Sequence, residues 1–443
     1  MATAPRVFAL ETEYSISYSS KSDKERTYGE FAQRLFNCAN NRLNEFIGNG
    51  ARLYKDTGDH PEYAAPETDN IVDAVTYDKA GERIFYSLCE KLQKELQNEG
   101  SNANIRFFKN NCHKDESWGG HENYLASREI SFDVYTAQLI PFLVTRIIYS
   151  GAGKTKLVNE GKYEGEYEIS SRASFIKEEK SPTTTQGRGI VNTRDEPHSD
   201  NKKFYRIHLL MGDSNMCELA TALKLGTTSI LLRLIEDGVC PTIELANPVA
   251  NFHDMSKDLG IKQKYLIKNG ESLSAVGIQR KYFDAAEKHY TDIKNQLKEP
   301  YMDAIMKMWD FALNKLENNK LEELVGLLDW PTKKYFIKGR MDRKKREGDK
   351  EAFKFDLEYH RIFPKGLYQL SVENDKDCLF YRVCSDKDIE RATKEPPKTT
   401  RAYKRGEYVT SNDVAGVDWS YITLKNGQTL ISDDPRDVEF RPR

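Results

Sequence analysis

The stretch RVFALETEYSIS, residues 6–17, carries two glutamates on one face of a predicted β-strand. Side chains alternate along a strand, so Phe8 and Leu10 share one face while Glu11 and Glu13 are neighbours on the other. Their backbones are about 6.6 Å apart, and two full charges at that spacing repel by roughly 2.5 kcal/mol at an effective dielectric of about 20. A sheet face open to water tolerates such a pair, and bound cations remove the repulsion. The strand therefore predicts either a solvated face or a metal site.

The composition of the chain narrows the class of protein. Its 443 residues suffice for one large domain and a smaller one. Lys and Arg number 67 against 69 Asp and Glu, so no global basic field points to nucleic acid. Seven cysteines form no CxxC pair, which suggests reduced thiols, and no apolar run approaches the roughly 18 residues of a membrane span. We expect a cytoplasmic protein that binds neither nucleic acid nor membrane.

Helix and strand patterns alternate along the chain and predict a mixed α+β fold. Helical spacing predicts helices over about residues 71–97 and 135–149, and a long helix that ends at Gly238. A polar link is expected over residues 151–166. The charge run RMDRKKREGDKE, residues 340–351, is expected in a solvated loop.

A change of pattern near Pro364 suggests a second domain. Beyond it the sequence predicts a helix near Asp386 and a final strand pair around WSYITLKNGQTLI, residues 419–431. We therefore assign residues 1–364 to a large domain and residues 365–443 to a small C-terminal domain.

The segment NGARLYKDTGDHPEYAAPETDN, residues 49–70, is unusually dense in charged and phenolic side chains. If ARLYKD is extended, Arg52, Tyr54 and Asp56 share a face. Together with the two glutamates of the first strand, these groups supply the hard oxygen ligands that Mg²⁺ prefers, beside waters and phosphate oxygens. The sequence contains no G-x-x-x-x-G-K-[ST] motif. The pattern therefore predicts an ATP and magnesium site without a P-loop.

Three later segments add cationic groups. GGHENYL carries His121, NTRDEPH carries Arg194, and YRIHLLMGDSN carries Arg206 and His208 at i and i+2 of a predicted strand. The planar fork of arginine donates to phosphate in pairs, and γ-phosphoryl transfer needs cationic positioning more than covalent help. Any one of these residues alone is more often a surface ion pair, but together they favour a metal-dependent nucleotide site.

At these residues the chain resembles the Pup ligase and depupylase family, the carboxylate-amine ligase relatives of glutamine synthetase. The matching blocks are ETEY, NGARLY-D---HPEY, DKAGE, FKNN, HENYL, NTRDEPH, GD-N and LK-GTT, with weaker similarity in LLDWP, KGLY, TRAY-RGE and VDW. The resemblance implies a glutamine-synthetase-like large catalytic domain with a curved, mostly antiparallel sheet flanked by helices. It also implies ATP and Mg²⁺ as cofactors, and as partners a Pup-like small protein modifier and protein substrates that present lysines.

The same resemblance assigns roles to individual positions. It makes Asp56 the catalytic base, and Arg52 and Trp419 contacts of ATP. Ala65 stands where ligases tend to have Thr near the nucleotide, so a contact there would use the main chain. The implied metal ligands are Glu11, Glu13, Tyr54, Glu62 and His121, and the further nucleotide-binding residues are Arg194, Arg206 and His208.

Ligases and depupylases share this pocket, so details must separate them. Three residues lie between Asp56 and His60, as in ligases, the connection from the first strand to Asn49 lacks the long depupylase insertion, and GAG follows the predicted helix as in ligases. APE, VDAV and LLDWP look more like depupylase. We predict a ligase that joins the C-terminal glutamate of the modifier to substrate lysines through a γ-glutamyl phosphate. The alternatives are a depupylase or deamidase, and an inactive nucleotide-binding scaffold.

Overall fold

The computed structural model describes residues 5–19, 27–39, 44–56, 58–158, 162–184, 186–293, 301–343 and 348–443. The helices are α1 (Tyr28–Asn37), α2 (Ile71–Asn98), α3 (Phe132–Thr145), α4 (Ile147–Ser150), α5 (Glu218–Glu236), α6 (Pro248–Lys257), α7 (Ala275–Ile293), α8 (Met302–Glu317), α9 (Asp329–Arg343), α10 (Gly348–Tyr359), α11 (Leu367–Glu373), α12 (Asp386–Ala392) and α13 (Ala402–Val409). Short 3₁₀ helices span Ala173–Phe175 and Leu321–Leu324.

The strands form one large sheet and several small ones. They are β1 (Phe8–Glu13), β2 (Ser15–Ser19), β3 (Asn44–Phe46), β4 (Arg52–Lys55), β5 (Pro61–Ala64), β6 (Asn104–Phe108), β7 (Cys112–His113), β8 (Glu116–Ser117), β9 (Gly120–Ser127), β10 (Lys154–Val158), β11 (Lys162–Glu168), β12 (Glu178–Ser181), β13 (Gly189–Asn192), β14 (Phe204–Leu209), β15 (Lys264–Leu266), β16 (Ser272–Ser274), β17 (Arg361–Phe363), β18 (Val414–Val417), β19 (Tyr421–Leu424), β20 (Thr429–Ile431) and β21 (Arg441–Pro442).

The large sheet has eight strands in the order β12-β13-β14-β9-β1-β5-β4-β3. Every neighbouring pair in it is antiparallel except β12 with β13. Helices α2, α3 and α5 pack against the sheet, and the apolar side chains of β1, Phe8 and Leu10, are buried. The predicted α+β fold with a mostly antiparallel sheet flanked by helices is confirmed, and it puts the two glutamates of β1 on a central strand.

The first predicted strand is divided at Tyr14. The backbone N–H of Tyr14 donates to Pro61 O at 2.8 Å, and its ring packs on Phe85 and Phe107 with centroids 4.9 and 5.1 Å apart. The chain then continues as β2 in a separate three-stranded sheet with β6 and β17. The prediction of one strand over residues 6–17 is therefore wrong after Glu13, because a fully buried aromatic ring redirects the chain.

Two predicted helices are confirmed by their observed ends. Helix α2 spans Ile71–Asn98, and the side chain of Asn70 caps it by accepting from the backbone N–H of Val72 at 2.8 Å. Helix α5 is followed by Gly238, whose φ of +71° is a left-handed conformation that glycine adopts without strain.

Two predictions about connecting segments are wrong. The expected polar link contains the antiparallel strands β10 and β11, with residues 159–161 outside the described part of the chain. The expected solvated loop over residues 340–351 contains the end of α9 and the start of α10, and residues 344–347 lie outside the described part. Runs of Lys, Arg and Glu have high helix propensity, and here that propensity outweighs the charge density from which we predicted a loop.

The C-terminal segment contains a four-stranded sheet, β18 to β21. Its own small core consists of Ile422, Leu430 and Phe440. The boundary between residues 364 and 365 stays a prediction. Among the described residues, no helix has the length and apolar character needed to cross a membrane.

Candidate active site

Strand pairing gathers the predicted site residues around β1. Glu11 is paired with His121 on β9 and with Ala64 on β5, while Glu13 is paired with Glu62 on β5. Directly paired residues point to the same face of a sheet. Glu11 and Glu13, which the sequence places on one face of β1, therefore lie in a row of polar side chains that crosses β5, β1 and β9.

The first group in this row is the histidine cluster, which we define as Glu11, His121 and His208. One Glu11 carboxylate oxygen lies 3.5 Å from His121 Nδ1 and 3.5 Å from His208 Nε2, and the other lies 3.6 Å from Arg206 Nη1. Asn123 Nδ2 donates to the same carboxylate at 3.0 Å. Burial alone would raise the pKa of the Glu11 carboxyl, but His208, His121 and Arg206 outweigh it and hold that pKa well below its usual value.

The second group is the acidic cluster, which we define as Glu13, Asp56 and Glu62. One carboxylate oxygen from each lies within 4.8 Å of the others. Burial raises the pKa of the Glu13 carboxyl, and the Asp56 charge adds to that effect. Burial, together with the charges of Glu13 and Glu11, raises the pKa of the Glu62 carboxyl well above its usual value. Among the described residues, His121 and His60 offset part of this negative charge, but they do not outweigh burial at Glu13, so the cluster favours a cation.

Tyr54 belongs beside the acidic cluster. Its hydroxyl donates to Glu62, and burial next to that carboxylate raises the pKa of the phenol well above 10.0. The phenol therefore stays protonated and offers a neutral oxygen. Carboxylate and hydroxyl oxygens with a nearby imidazole are a donor set that fits Mg²⁺, which prefers hard oxygen ligands. Of the predicted metal ligands, the structure brings Glu13, Tyr54 and Glu62 together, with Glu11 and His121 in the adjoining cluster.

Gly119, directly before β9, allows that segment to lie close to β1. Glu13 N donates to Gly119 O at 3.1 Å. A Cβ atom at Gly119 would stand 2.4 Å from Glu13 Oε1 and 2.7 Å from the His121 ring. Any side chain there would displace a carboxylate and an imidazole that belong to the two clusters.

Glu11 also borders a pocket, here named the Trp419 cavity, which holds about 560 Å³ including space open to solvent. Four predicted site residues line it, namely Glu11, Ala65, Arg206 and Trp419. The backbone N–H of Ala65 donates to Leu10 O at 2.9 Å, so a main-chain contact from Ala65 to a ligand would use its carbonyl. The lining residues without a predicted role are Val7, Phe8, Ala9, Leu10, Ala64, Glu67, Asn123, Tyr124, Leu125, Pro197, His198, Arg401 and Pro435.

Two predicted contacts lie beside the clusters rather than in them. Arg52 donates from Nε to Asn44 Oδ1 at 2.7 Å, and its guanidinium lies 5.5 Å from the ring centroids of Phe46 and Tyr54. Arg194 is about half exposed and its Nε lies 3.7 Å from a Glu196 oxygen. Their roles toward a nucleotide stay predictions.

A second pocket, here named the His60 cavity, holds about 710 Å³ including space open to solvent. Glu13 and His121 line it together with His60, whose ring stacks on Trp118 at 4.7 Å. The remaining lining residues are Gly58, Glu116, Ser117, Gly119, Arg172, Thr184 and Arg188. Sequence reasoning assigned no role to the two arginines or to Trp118, because only the tertiary fold brings them to β1.

The comparisons with known proteins agree on one family. A family model described as Pup-ligase protein matches residues 6–423. The chain is 37% identical over 445 residues to a Pup--protein ligase of Acidimicrobium ferrooxidans, covering 98% of this chain and 96% of that protein. It is 36% identical over 452 residues to a Pup--protein ligase of Mycobacterium avium, covering 98% of both.

Two solved structures have the same fold. The crystal structure of the complex between the prokaryotic ubiquitin-like protein Pup and its ligase PafA has a TM-score of 0.88 at 31% identity, covering 98% of this chain and 90% of that one. The structure of the Pup ligase PafA in complex with ADP has a TM-score of 0.81 at 31% identity, covering 95% and 93%. The resemblance seen in the sequence motifs is confirmed.

Proposed function

The chain belongs to the Pup-ligase family, and we propose that it is an ATP-dependent ligase that joins a Pup-like modifier to proteins. In this proposal the side chain of the modifier's C-terminal glutamate is activated as a γ-glutamyl phosphate and then transferred to a substrate lysine. The names of the relatives and the two PafA structures, one with Pup and one with ADP, support it.

The observation that carries the proposal is the position of β1 between two cavities. Glu11 lines the Trp419 cavity and Glu13 lines the His60 cavity. We assign the Trp419 cavity to ATP and the His60 cavity to the glutamate that receives the phosphoryl group. The acidic cluster lies where the two substrates would meet.

We propose that Mg²⁺ is held by five residues of the two clusters and their surroundings, namely Glu11, Glu13, Tyr54, Glu62 and His121. When bound there, Mg²⁺ would neutralise the charge of the phosphates and of the acidic cluster. Arg206, whose guanidinium is fixed by Asn123 Oδ1 at 2.8 Å and Glu196 O at 2.8 Å, lines the Trp419 cavity with its charge directed at Glu11. We assign it to binding the phosphate groups of ATP, together with His208 and Arg194.

The reaction then takes two steps. In the first, a γ-carboxylate oxygen of the modifier attacks the γ-phosphorus of ATP, the bond from that phosphorus to the bridging oxygen breaks, and ADP leaves. In the second, the lysine amine attacks the acyl carbon and the bond to phosphate breaks. The attacking lysine loses a proton, and we assign Asp56 as the base that accepts it.

The local backbone supports the assignment of Asp56. Its N–H donates to His60 O at 2.9 Å and its carbonyl accepts from Asp59 N at 3.1 Å. These bonds hold the Asp56 backbone beside Gly58 and His60, which line the His60 cavity. The Asp56 carboxylate lies within 4.8 Å of those of Glu13 and Glu62. A base at this position can reach an amine that approaches from the His60 cavity.

The domain assignment and the cellular location are part of the proposal. Residues 1–364 would form the catalytic domain, and residues 365–443 the small domain that supplies Trp419 to the nucleotide. Each of the seven cysteines is a free thiol, which is compatible with the cytoplasmic location that we propose.

A conjugation assay tests the proposal against the depupylase alternative. The purified chain is incubated with ATP, Mg²⁺, a modifier that ends in glutamate and a lysine-bearing protein. We expect a product heavier by one modifier, and much slower cleavage when only preformed conjugate is supplied. Rapid cleavage without detectable conjugation would replace the ligase by a depupylase. Absence of any ATP turnover would favour the inactive scaffold.

A further inference from the structure

The buried carboxylate of Glu67 joins the C-terminal segment to the Trp419 cavity. Glu67 accepts from Arg401 Nε at 2.9 Å and from Arg405 Nη1 at 3.1 Å, and Arg405 Nη2 bonds its other oxygen. We name Glu67, Arg401 and Arg405 the clasp. All three are buried. Burial would raise the pKa of the Glu67 carboxyl, but the two arginines outweigh it and lower that pKa to about 2.

One side of the clasp is fixed to the strand that carries Glu11. Glu67 lies in an extended segment that follows β5 and continues to pair with β1. Ala65 N donates to Leu10 O at 2.9 Å, and Thr68 N donates to Phe8 O at 3.0 Å. A shift of Glu67 is therefore coupled to the backbone of β1, the strand that carries Glu11.

The other side of the clasp fixes Trp419. Arg405 Nη1 donates to Trp419 O at 3.2 Å, and its guanidinium lies 4.8 Å from the Trp419 ring. The same guanidinium donates to Gly50 O at 2.8 Å. Contact between a guanidinium and an indole face is attractive and directional. The Trp419 indole thus packs against the Arg405 guanidinium, and the backbone carbonyl of Trp419 accepts a hydrogen bond from the same side chain.

Arg401 is part of the wall of the Trp419 cavity, which it lines with His198 and Pro435. Its Nε bonds Glu67 and its Nη1 donates to Ser432 O at 2.9 Å, which leaves Nη2 without a partner among the described residues. A guanidinium has five N–H donors in a fixed plane, so this one has donors left for a ligand.

We infer that Arg401 binds the nucleoside part of ATP, and that Glu67 and Arg405 are positioning residues that hold Arg401 and Trp419 for that contact. The inference rests on the proposed use of ATP. Glu11 and Arg206 occupy the part of the cavity assigned to the phosphates, so Arg401 and Trp419 are left to face ribose and base. A buried ion pair is weak evidence for added stability, whereas hydrogen bonds from two arginines to one carboxylate fix the orientation of the side chains that they join.

The test separates nucleoside contacts from phosphate contacts. Dissociation constants for ATP and for inorganic tripolyphosphate are measured with Mg²⁺ in the wild type, Glu67→Gln and Arg401→Met. We expect each substitution to weaken ATP about tenfold, a loss equivalent to about 1.4 kcal/mol, and to leave tripolyphosphate within about twofold. The KM for ATP should rise by a similar factor while kcat at saturating ATP stays nearly unchanged, because contacts kept in both ground and transition state affect KM alone.

Glu218→Gln is the matched control. Glu218 is also a buried carboxylate that anchors the C-terminal segment, accepting from Arg382 Nε at 2.7 Å and Val383 N at 2.6 Å, but it does not line the Trp419 cavity. We expect this variant to lower the melting temperature and to keep the wild-type affinity for ATP. A melting curve of each variant shows that loss of stability alone does not explain the effect.

The outcomes are distinct. Equal weakening of ATP and tripolyphosphate in the clasp variants, or loss of ATP affinity in Glu218→Gln, would overturn the inference. If Glu67→Gln does not fold, Arg401→Met decides, since it retains the bonds between Glu67 and Arg405. A wild-type chain that binds tripolyphosphate but not ATP would overturn the inference while leaving phosphate binding intact. A wild-type chain that binds neither would overturn the proposed function itself.

Discussion

Two clusters of charged side chains in this protein differ in how far their charges are balanced. The lysine cluster consists of Asp78, Lys79 and Glu82 on α2 with Lys109, two acids and two bases. Lys109 Nζ lies 2.7 and 2.8 Å from the Asp78 oxygens and 2.8 Å from Glu82, and Lys79 Nζ lies 2.8 Å from Glu82. The acidic cluster of Glu13, Asp56 and Glu62 has three carboxylates within 4.8 Å of one another.

The two clusters shift carboxyl pKa values in opposite directions. Burial would raise the pKa of the Glu82 carboxyl, but Lys109 and Lys79 outweigh it and lower that pKa. At Glu13 and Glu62 burial and neighbouring acids act together and raise the pKa. In the lysine cluster the protein's own lysines balance the carboxylate charge. Where charge is left unbalanced, we infer that substrate and metal complete the balance.

The largest expected effect is on the chemistry of the acidic cluster. Asp56→Asn keeps the size of the side chain but removes the proposed base. We expect the rate of conjugation to fall by about 10³-fold or more, while the melting temperature and ATP affinity stay close to wild type. Single-turnover transfer and calorimetry with ATP measure the two quantities. Loss of ATP affinity in proportion to loss of activity would make Asp56 a ligand rather than a base.

Removing a cation from the lysine cluster should affect stability instead. Among the described residues, Lys109→Met leaves buried Glu82 with Lys79 as its remaining lysine partner and takes away the lysine that bonds both Asp78 oxygens. Breaking a buried pair on one side costs about 3–5 kcal/mol, so we expect a loss of that order in the free energy of unfolding, measured by urea denaturation. An unchanged midpoint would show that the balance of charge in this cluster does not stabilise the fold.

The sequence predicted the acidic cluster well because its signals are local. The resemblance to the Pup ligase family supplied Glu62. Alternation in β1 placed Glu11 and Glu13 on one face, and alternation in an extended ARLYKD segment placed Tyr54 and Asp56 on one face. These signals depend only on strand geometry over a few residues.

What the sequence did not predict depends on contacts between distant segments. The break at Tyr14 follows from packing on Phe85 and Phe107, which alternation does not reveal. Glu67 was visible as one acid in a dense segment, but its partners lie 334 and 338 residues further along the chain. Trp118 lines the His60 cavity, where its ring stacks on His60. No periodicity in one sequence records such pairs.

A smaller effect, on the affinity for ATP, is expected at Glu11. This carboxylate is partly balanced by protein groups and is also a proposed metal ligand. His208, His121 and Arg206 partly balance this carboxylate, so Glu11→Gln removes a proposed metal ligand and a partner of three cationic or imidazole groups. We expect the dissociation constant for ATP with Mg²⁺ to rise about tenfold, or about 1.4 kcal/mol, in calorimetry. Unchanged affinity would show that Glu11 pairs with the two histidines but is not a metal ligand.

The smallest effect is expected at Glu62, and its sign should depend on the metal. Without Mg²⁺, Glu62→Gln removes one of three crowded carboxylates while its amide oxygen can still accept from the Tyr54 hydroxyl. We therefore expect the variant to be more stable than the wild type by about 1 kcal/mol, since like charges at this spacing repel.

With saturating Mg²⁺ the order should reverse. A ligand that binds only the folded state stabilises it by about 2.7 kcal/mol at a concentration of 100 times its dissociation constant, and the variant would lose most of that gain. Glu82→Gln is the control, because in the lysine cluster the same change removes a partner of two lysines. It should destabilise the protein with and without Mg²⁺. Thermal unfolding of the three proteins in EDTA and in Mg²⁺ measures the sign directly, and a Glu62→Gln variant less stable than wild type in EDTA would show that the acidic cluster is balanced without a metal.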